Sequence, residues 1–291
     1  MGHLQQGAWR TGAVDTSRTG GEYIRAASQF RDWITTDGSS RFPAESGRYH
    51  LYVSLACPWA HRTLIFRKLK QLEAVISVTE VEPVNHDQGW EFGTEHGGQT
   101  DPLYGARYLH ELYARARPDY SGRVTVPMLW DKRSNTIVNN ESSEIIRLLN
   151  SAFNAYTSVR EDYYPARLRA EIDEVNAWVY DDINNGAYRA GFAGNQAVYE
   201  AAIKRLFGAL DRLERRLSTH RYLVGNTITE ADWRLFPTLI RFDAVYVTHF
   251  KCNLRRIEDY PNISNYVRDL YQAPGVAETV NFDHIKRHYF M

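Results

Sequence analysis

A strand–helix–strand pattern within residues 49–81 constrains the possible folds of this chain more than any other sequence feature. Apolar residues alternate with other residues over 49–55, which predicts a strand. Apolar residues then recur at helical spacing over 58–71, and a second β-rich run follows over 75–81. Two strands joined by a helix form a β-α-β unit, in which the strands run parallel within one sheet. The pattern therefore predicts an α/β domain in this part of the chain.

The rest of the first half continues the α/β pattern after an interruption. Residues 83–121 show no clear period at first, and a stretch this long inside a compact domain is usually functional or disordered. Two further strands are predicted over 124–130 and 136–138, and a helix over 142–149 follows them. We therefore predict one domain over 48–155 that carries an insertion at 83–121.

The two ends of the chain differ from this domain in their pattern. Residues 1–47 are polar and contain glycine-rich stretches, which we interpret as an extended arm that wraps a domain. The second half is helical, with clean apolar stripes over 168–183 and 203–217. The segment 229–232 matches the capping pattern that begins a further helix. We therefore predict an N-terminal extension, the α/β domain, and an all-helical domain over 160–291.

Composition and charge exclude several classes of protein. The 35 basic and 35 acidic residues balance to a net charge of zero, so the chain lacks the basic footprint that favours nucleic acid or an anionic membrane. No apolar run is long enough for a transmembrane helix, and the N-terminus lacks the apolar core of a signal peptide. Two cysteines cannot form a disulfide framework in a chain of 291 residues. We therefore expect a cytoplasmic protein without nucleic-acid or membrane partners.

Cys57 is the strongest candidate for a reactive side chain, because it lies between the first predicted strand and its helix. The first N–H groups of a helix are unpaired, and together with the helix dipole they stabilise a thiolate and lower its pKa. His61 and Arg62 follow and add positive potential. Position 60 is Ala60, so no Cys-x-x-Cys pair exists and an external thiol must resolve any mixed disulfide. The alternative is a buried cysteine that only fills space.

Two further segments point to a ligand with peptide-like and carboxylate groups. Pro127 follows Val126 at the start of a predicted strand, where proline is confined to edges, bulges or special turns. In thioredoxin-like folds a cis-proline at this place faces the active cysteine, and the residue before it offers its backbone to a ligand. Glu141 and Ser142 open the next helix, where a hydroxyl and unpaired N–H groups can bind a carboxylate. The alternative for this pair is a cap that only stabilises its own helix.

Other chemistry-bearing motifs are missing from the sequence. The ten histidines show none of the spacings of a metal site, and residues 181–186 resemble a calcium loop without its remaining ligands. Neither a G-x-G-x-x-G nor a Walker motif is present, which disfavours a nucleotide cofactor. A Ser–His–Asp hydrolase would lack its nucleophile elbow. We therefore expect neither a metal nor a nucleotide cofactor.

Taken together, these segments resemble the glutathionyl-hydroquinone reductases, the Xi class of glutathione transferases. Residues 57–62 (Cys-Pro-Trp-Ala-His-Arg) are similar to the active-site motif of that class, and 229–232 is similar to a capping segment of the second transferase domain. The resemblance continues through residues 89–90, 124–127, 140–142, 183–188 and 284–289. It implies the glutathione transferase fold, an α/β thioredoxin-like N-terminal domain followed by an all-α C-terminal domain.

The resemblance also implies an activity and roles for individual residues. Cys57 would attack the sulfur of an S-glutathionyl-hydroquinone and form a mixed disulfide, from which a second glutathione would leave as oxidised glutathione. Tyr188 and Tyr289 would hydrogen-bond and protonate the departing aromatic group, with simple packing as the alternative for each. The residues expected to bind glutathione are Trp90, Arg123, Val126, Glu141 and Ser142.

Glutathione is thus the expected co-substrate, aromatic glutathionyl-hydroquinones are the expected substrates, and a homodimer is the expected assembly. Two other functions stay open at this point. An omega-like thioltransferase or dehydroascorbate reductase would share Cys57 but not the aromatic site. A non-enzymatic scaffold with the same fold is the second alternative, and a nucleophile at a helix N-terminus argues against it.

Overall fold

A computed structural model describes residues 2–12 and 14–291 of the chain. These residues cluster into two compact units. The first unit consists of the described residues within Met1–Ala13, together with Ala26–Glu161 and Glu278–Met291. The second unit consists of Val14–Arg25 and Asp162–Ala277.

Two segments are placed differently from the predicted boundaries. Val14–Arg25 clusters with the second unit, although residues 1–47 were expected to form one arm. Glu278–Met291 clusters with the first unit, although 160–291 was expected to be one helical domain. The reason is that the spacing of apolar residues predicts only local structure, helical or extended. The unit that a segment joins depends instead on contacts between residues far apart in the chain.

The strands of the described residues all lie in the first unit. They are β1 (Gly2–Gln5), β2 (Ala8–Thr11), β3 (Ile34–Thr35), β4 (Phe42–Pro43), β5 (Tyr49–Val53), β6 (Ser77–Glu80), β7 (Gly122–Arg123), β8 (Met128–Asp131) and β9 (Thr136–Asn139). The central sheet has the strand order β6-β5-β8-β9. β5 pairs with β6 in parallel and with β8 antiparallel, and β8 pairs antiparallel with β9.

The predicted β-α-β unit is confirmed, because the helix α1 (Pro58–Leu69) connects the parallel strands β5 and β6. Every residue of β5 is buried, as expected for a central strand that is covered on both faces. The strand predicted over 124–130 begins later than expected, at Met128. Pro127 has no N–H group to donate to a ladder, and the Val126–Pro127 peptide bond is cis.

The N-terminal strands β1 and β2 form a smaller sheet with β7 in the same unit. β1 pairs antiparallel with β2 and also with β7, which lies just after the insertion. The helix α2 (Leu109–Ala116) lies within the insertion, and the helix α3 (Ser142–Ser151) follows β9 of the central sheet. α3 packs against α1. The predicted site residues Cys57, Glu141 and Ser142 lie at the N-terminal ends of these two helices.

The second unit is built from helices, and its predicted apolar stripes are buried except for Leu168, which is partly exposed. Its helices are α4 (Arg169–Trp178), α5 (Asn185–Gly191), α6 (Gln196–Leu217), α7 (Glu230–Arg241), α8 (Val247–His249) and α9 (Pro261–Gln272). π-helical turns join α4 to α5 over Val179–Asn184 and α7 to α8 over Phe242–Tyr246. The last helix of the chain, α10 (Phe282–Phe290), belongs to the first unit.

The predicted cap of α7 is present and is a buried anchor of the second unit. Asp232 is fully buried and accepts hydrogen bonds from the Thr229 N–H at 2.8 Å and from the Leu223 N–H at 2.9 Å. The Tyr266 hydroxyl donates a third bond at 2.8 Å. Asp232 therefore joins a loop, a helix start and α9, because all three donors need a partner in the buried interior.

Candidate active site

Cys57 caps the N-terminus of α1, as the sequence predicted, with Pro58 as the first helical residue. The Cys57 side chain is 9% exposed, and its Sγ atom lies 3.6 Å from the Val126 carbonyl oxygen. The first N–H groups of α1 have no intrahelical acceptor, which is the arrangement that stabilises a thiolate. The thiol and the backbone of Val126 are therefore brought together at the start of the helix.

A hydrogen-bonded network behind Val126 fixes this backbone. The Tyr113 hydroxyl donates to the Thr125 carbonyl oxygen at 2.8 Å and accepts from the Asn140 amide at 3.0 Å. Burial raises the pKa of Tyr113, so the hydroxyl keeps its proton and remains a donor. The network connects Thr125, the residue before Val126, to Asn140, the residue before Glu141. Sequence reasoning missed it, because only the position of Asn140 beside Glu141 hints at it.

The start of α3 carries the second predicted pair, with the roles divided differently from the expectation. Glu141 is the N-cap and Ser142 is the first helical residue. The Glu141 carboxylate accepts from the Ser143 N–H at 3.2 Å and from the Ser28 hydroxyl at 3.1 Å. Burial raises the pKa of Glu141, but these hydrogen bonds and the charge of Arg62 outweigh it and hold the pKa below its usual value. Glu141 is therefore an anion in the neutral range.

Arg62 is a buried cation beside this pair. Arg62 is 1% exposed, and its guanidinium donates to the Ser142 hydroxyl at 3.3 Å and lies 4.6 Å from the centre of the Trp59 ring. Sequence reasoning expected only a general positive potential from His61 and Arg62. His61 is placed elsewhere, with its Nε2 atom 2.8 Å from the Thr279 hydroxyl. A cation and a hydroxyl at a helix N-terminus together suit a carboxylate ligand.

Trp90 and Arg123 lie in and just after the insertion of the first unit. Trp90 is partly buried and stacks on His288, with ring centres 5.2 Å apart and planes 12° apart. The Trp90 carbonyl oxygen accepts a hydrogen bond from the Leu109 N–H at 2.9 Å. Arg123 is partly buried and pairs with His3 in the β1–β7 ladder. Both residues are therefore held at the backbone by neighbouring elements.

The two predicted tyrosines are in different units. Tyr188 belongs to α5 of the second unit, where its ring lies in a cluster of aromatic rings. The Arg25 guanidinium lies 5.1 Å from the centre of the Tyr188 ring. The rings within 6.5 Å of Tyr188 are Tyr23, Phe192, Tyr246 and Phe250. Tyr289 belongs to α10 of the first unit and is partly buried.

The other cysteine has a different environment. Cys252 is fully buried in the second unit, and burial raises its pKa to about 12, so its thiol stays protonated and unreactive. Within residues 2–12 and 14–291, no group of three or more His, Cys, Asp and Glu side chains could hold a metal ion. In that same part of the chain, no helix is long and apolar enough to cross a membrane.

Family models match both halves of the chain. The model described as "Glutathione S-transferase, N-terminal domain" matches residues 56–152. The model described as "Glutathione S-transferase, C-terminal domain" matches residues 196–269. The predicted fold class, a thioredoxin-like domain followed by an all-α domain, is therefore confirmed.

Individual relatives are similar over nearly the whole chain. Glutathionyl-hydroquinone reductase YqjG of Escherichia coli is 56% identical over 100% of this chain and 90% of its own length. Glutathionyl-hydroquinone reductase PcpF of Sphingobium chlorophenolicum is 52% identical over 100% of this chain and 91% of its own length.

Solved structures agree with these relatives. The glutathione-bound structure of YqjG has a TM-score of 0.91 at 53% identity, over 99% of this chain and 90% of that chain. A Xi-class transferase from Natrialba magadii has a TM-score of 0.93 at 48% identity, over 99% of this chain and 88% of that chain. The chain therefore belongs to the glutathionyl-hydroquinone reductases, the Xi class of the glutathione transferase family.

Proposed function

We propose that this protein reduces S-glutathionyl-hydroquinones to hydroquinones, with glutathione as its co-substrate. The observation that carries the proposal is the position of the Cys57 thiol at the start of α1, 3.6 Å from the Val126 carbonyl oxygen. Two relatives named for this activity are 56% and 52% identical to this chain over its whole length. A nucleophile at a helix N-terminus, beside a built carboxylate site, supports an enzyme and not a scaffold.

In the first step, the Cys57 thiolate attacks the sulfur atom that joins glutathione to the aromatic ring. A sulfur–sulfur bond forms and the carbon–sulfur bond breaks, with its electron pair going to the ring carbon, which takes up a proton. Cys57 and the glutathionyl sulfur are thereby oxidised to a mixed disulfide, and the carbon is reduced. Tyr188 and Tyr289 are our candidates for supplying the proton, since a phenol can act as a general acid.

In the second step, a glutathione thiolate attacks the glutathionyl sulfur of the mixed disulfide. The bond to Cys57 breaks, oxidised glutathione leaves, and the Cys57 thiolate is restored. Because position 60 is Ala60, the chain offers no resolving cysteine one helical turn away, and the external thiol completes the cycle. Both steps together consume one substrate and one glutathione and release one hydroquinone and one oxidised glutathione.

Each predicted binding residue has a proposed partner on glutathione. Ser142 would bind the γ-glutamyl carboxylate, with the buried Arg62 guanidinium beside it adding charge. Glu141, an anion in the neutral range, would bind the amine. Val126 would pair its backbone with the cysteinyl residue, and Trp90 and Arg123 would hold the remainder.

The proposal also covers the oligomeric state and the cellular compartment of the protein. We keep the homodimer and the cytoplasmic location as proposals that rest on the family resemblance and on the usage of cysteine. Aromatic glutathionyl-hydroquinones are the proposed substrates, and no nucleic-acid or membrane partner is proposed.

The test compares kcat/KM for an S-glutathionyl-hydroquinone with kcat/KM for dehydroascorbate and for a small glutathione mixed disulfide. We expect the hydroquinone adduct to be preferred, Cys57→Ser to abolish its turnover, and Cys252→Ser to retain it as the matched control. A preference for dehydroascorbate would favour the omega-like thioltransferase instead. Full turnover by Cys57→Ser would overturn the proposed mechanism.

A further inference from the structure

Helix α10 places two histidines on one face, and the proposed reaction uses neither of them. His284 and His288 are four residues apart, so both point from the same side of the helix. His284 is 4% exposed, and Ile285 beside it is fully buried, so this face packs into the first unit. The face therefore holds the C-terminal segment in place, and each histidine contacts a different loop.

His284 contacts the loop that Glu82 also holds. The Glu82 carboxylate accepts from the N–H groups of His96 at 3.0 Å and Gly98 at 3.3 Å. Gly97 between them has φ of +97°, and a Cβ atom built there would lie 2.8 Å from His284 Nε2. His284 is thus packed closely against a backbone that only glycine can form, which is a structural anchor.

His288 makes its contacts on a different part of the insertion. Its Nδ1 atom lies 2.7 Å from the Pro83 carbonyl oxygen, and because a carbonyl only accepts, Nδ1 carries the hydrogen. The same ring stacks on the Trp90 indole at 5.2 Å and 12°. The hydrogen bond fixes the plane of the imidazole, and the imidazole in turn supports one face of the indole.

The Trp90 main chain is already anchored, because its carbonyl oxygen accepts from the Leu109 N–H. Its side chain is only partly buried, so the backbone alone leaves the indole free to change rotamer. The stack on His288 favours the orientation of the ring in which the two planes are nearly parallel. Stacked aromatic pairs contribute beyond the area that they bury, which makes such a support effective.

We propose that His288 is a positioning residue, which holds the Trp90 indole in the orientation that binds glutathione. The inference rests on the proposed function, because Trp90 is assigned to the glutathione site there. His288 acts through Trp90 and touches neither the reacting sulfur nor the substrate ring in this account. It therefore predicts an effect on glutathione affinity that depends on the presence of Trp90.

The experiment measures the Kd for glutathione by calorimetry on the full chain carrying Cys57→Ser, which binds without turning over. In that background, His288→Ala should weaken binding about 3- to 10-fold, the range expected for the loss of an aromatic stack. His288→Phe keeps a ring for stacking, so its Kd should lie within about 2-fold of the Kd of the chain that carries Cys57→Ser alone. Trp90→Ala should weaken binding, and adding His288→Ala to it should weaken it no further, since coupled residues are not additive.

His284→Asn is the matched control, because it changes the same face of the same helix. We expect it to lower the unfolding temperature while leaving the Kd for glutathione unchanged. An equal loss of affinity in His284→Asn and His288→Ala, or an additive effect of His288→Ala on Trp90→Ala, would overturn the inference. Failure of the proposed function would look different. In that case the wild-type chain would not reduce an S-glutathionyl-hydroquinone, although His288 and Trp90 would still be coupled in glutathione binding.

Discussion

Replacing Glu141 by glutamine tests whether the start of α3 binds glutathione or only stabilises its own helix. The Glu141 carboxylate accepts from the Ser143 N–H at 3.2 Å, the Ser143 hydroxyl at 2.8 Å and the Ser28 hydroxyl at 3.1 Å. Glutamine keeps an acceptor oxygen in the same place and loses the charge. The cap should therefore persist, while the charge-assisted hydrogen bond to the glutathione amine is lost.

The size of the effect follows from these contacts. A hydrogen bond to a charged group contributes about 1.5–3 kcal/mol, so Glu141→Gln should bind glutathione about 10- to 100-fold more weakly. A lost helix cap costs about 1 kcal/mol, and glutamine retains most of this contribution, so the free energy of unfolding should change by about 0.5 kcal/mol or less. Glu141→Ala should lose both contributions and is the comparison variant.

The contribution of Glu141 to folding stability depends on pH, and its sign follows from the direction of the pKa shift. The pKa of Glu141 lies below its usual value in the folded protein, so the ionised form is favoured by folding. Its contribution to stability is present above the unfolded value and is lost as the pH falls through the lower, folded value. Glutathione affinity should therefore show no Glu141 titration in the neutral range and should decline only in acid.

Calorimetry with glutathione and thermal unfolding of the same Glu141→Gln sample make the measurement. The reasoning would be refuted by a variant that binds glutathione as tightly as the wild type while melting at a lower temperature. In that case Glu141 would be a cap and nothing more. Ser142→Ala, at the neighbouring position, should also weaken binding, by about 1–3 kcal/mol.

Tyr188→Phe and Tyr289→Phe should each slow hydroquinone release about 10-fold and leave reduction of a small mixed disulfide intact, whereas equal losses in both assays would indicate packing. Burial lowers the pKa of His50 to about 4 from 6.5, so the folded state should lose about 3 kcal/mol as the pH falls across that window. Urea unfolding of His50→Gln should show a smaller acid loss than the control His220→Gln, and an identical loss would contradict the assignment. Asp232→Ala leaves four buried donors without this acceptor and should lower the free energy of unfolding by about 3 kcal/mol, which an unchanged melting temperature would exclude.

Local sequence rules predicted much of the fold, because the β-α-β unit and the helix caps depend on neighbouring residues. The spacing of apolar residues places β5, α1 and β6, and the pair Thr229 and Asp232 marks the start of α7. The pairing of β1 with β7 follows no such rule, since their residues lie far apart in the chain. The same holds for α10, whose helical pattern says nothing about the unit that it joins.

The candidate site divides in the same way. Cys57 and Glu141 are predictable because each lies at a helix start, where chemistry and local structure coincide. The hydrogen-bonded network of Tyr113 was not predictable, because in the sequence Tyr113 looks like one more apolar residue of α2. The stack of His288 on Trp90 was not predictable either, because only the tertiary structure brings these two residues together.

The central claim is that Cys57 carries the glutathionyl group between two half-reactions. The direct measurement mixes the protein with one equivalent of an S-glutathionyl-hydroquinone in the absence of free glutathione, and follows the intact protein and its peptides by mass spectrometry. The account predicts one glutathionyl adduct on the peptide that contains Cys57, one equivalent of released hydroquinone, and loss of the adduct when glutathione is added. Release of hydroquinone without any adduct, or an adduct on the buried Cys252 in its place, would contradict it.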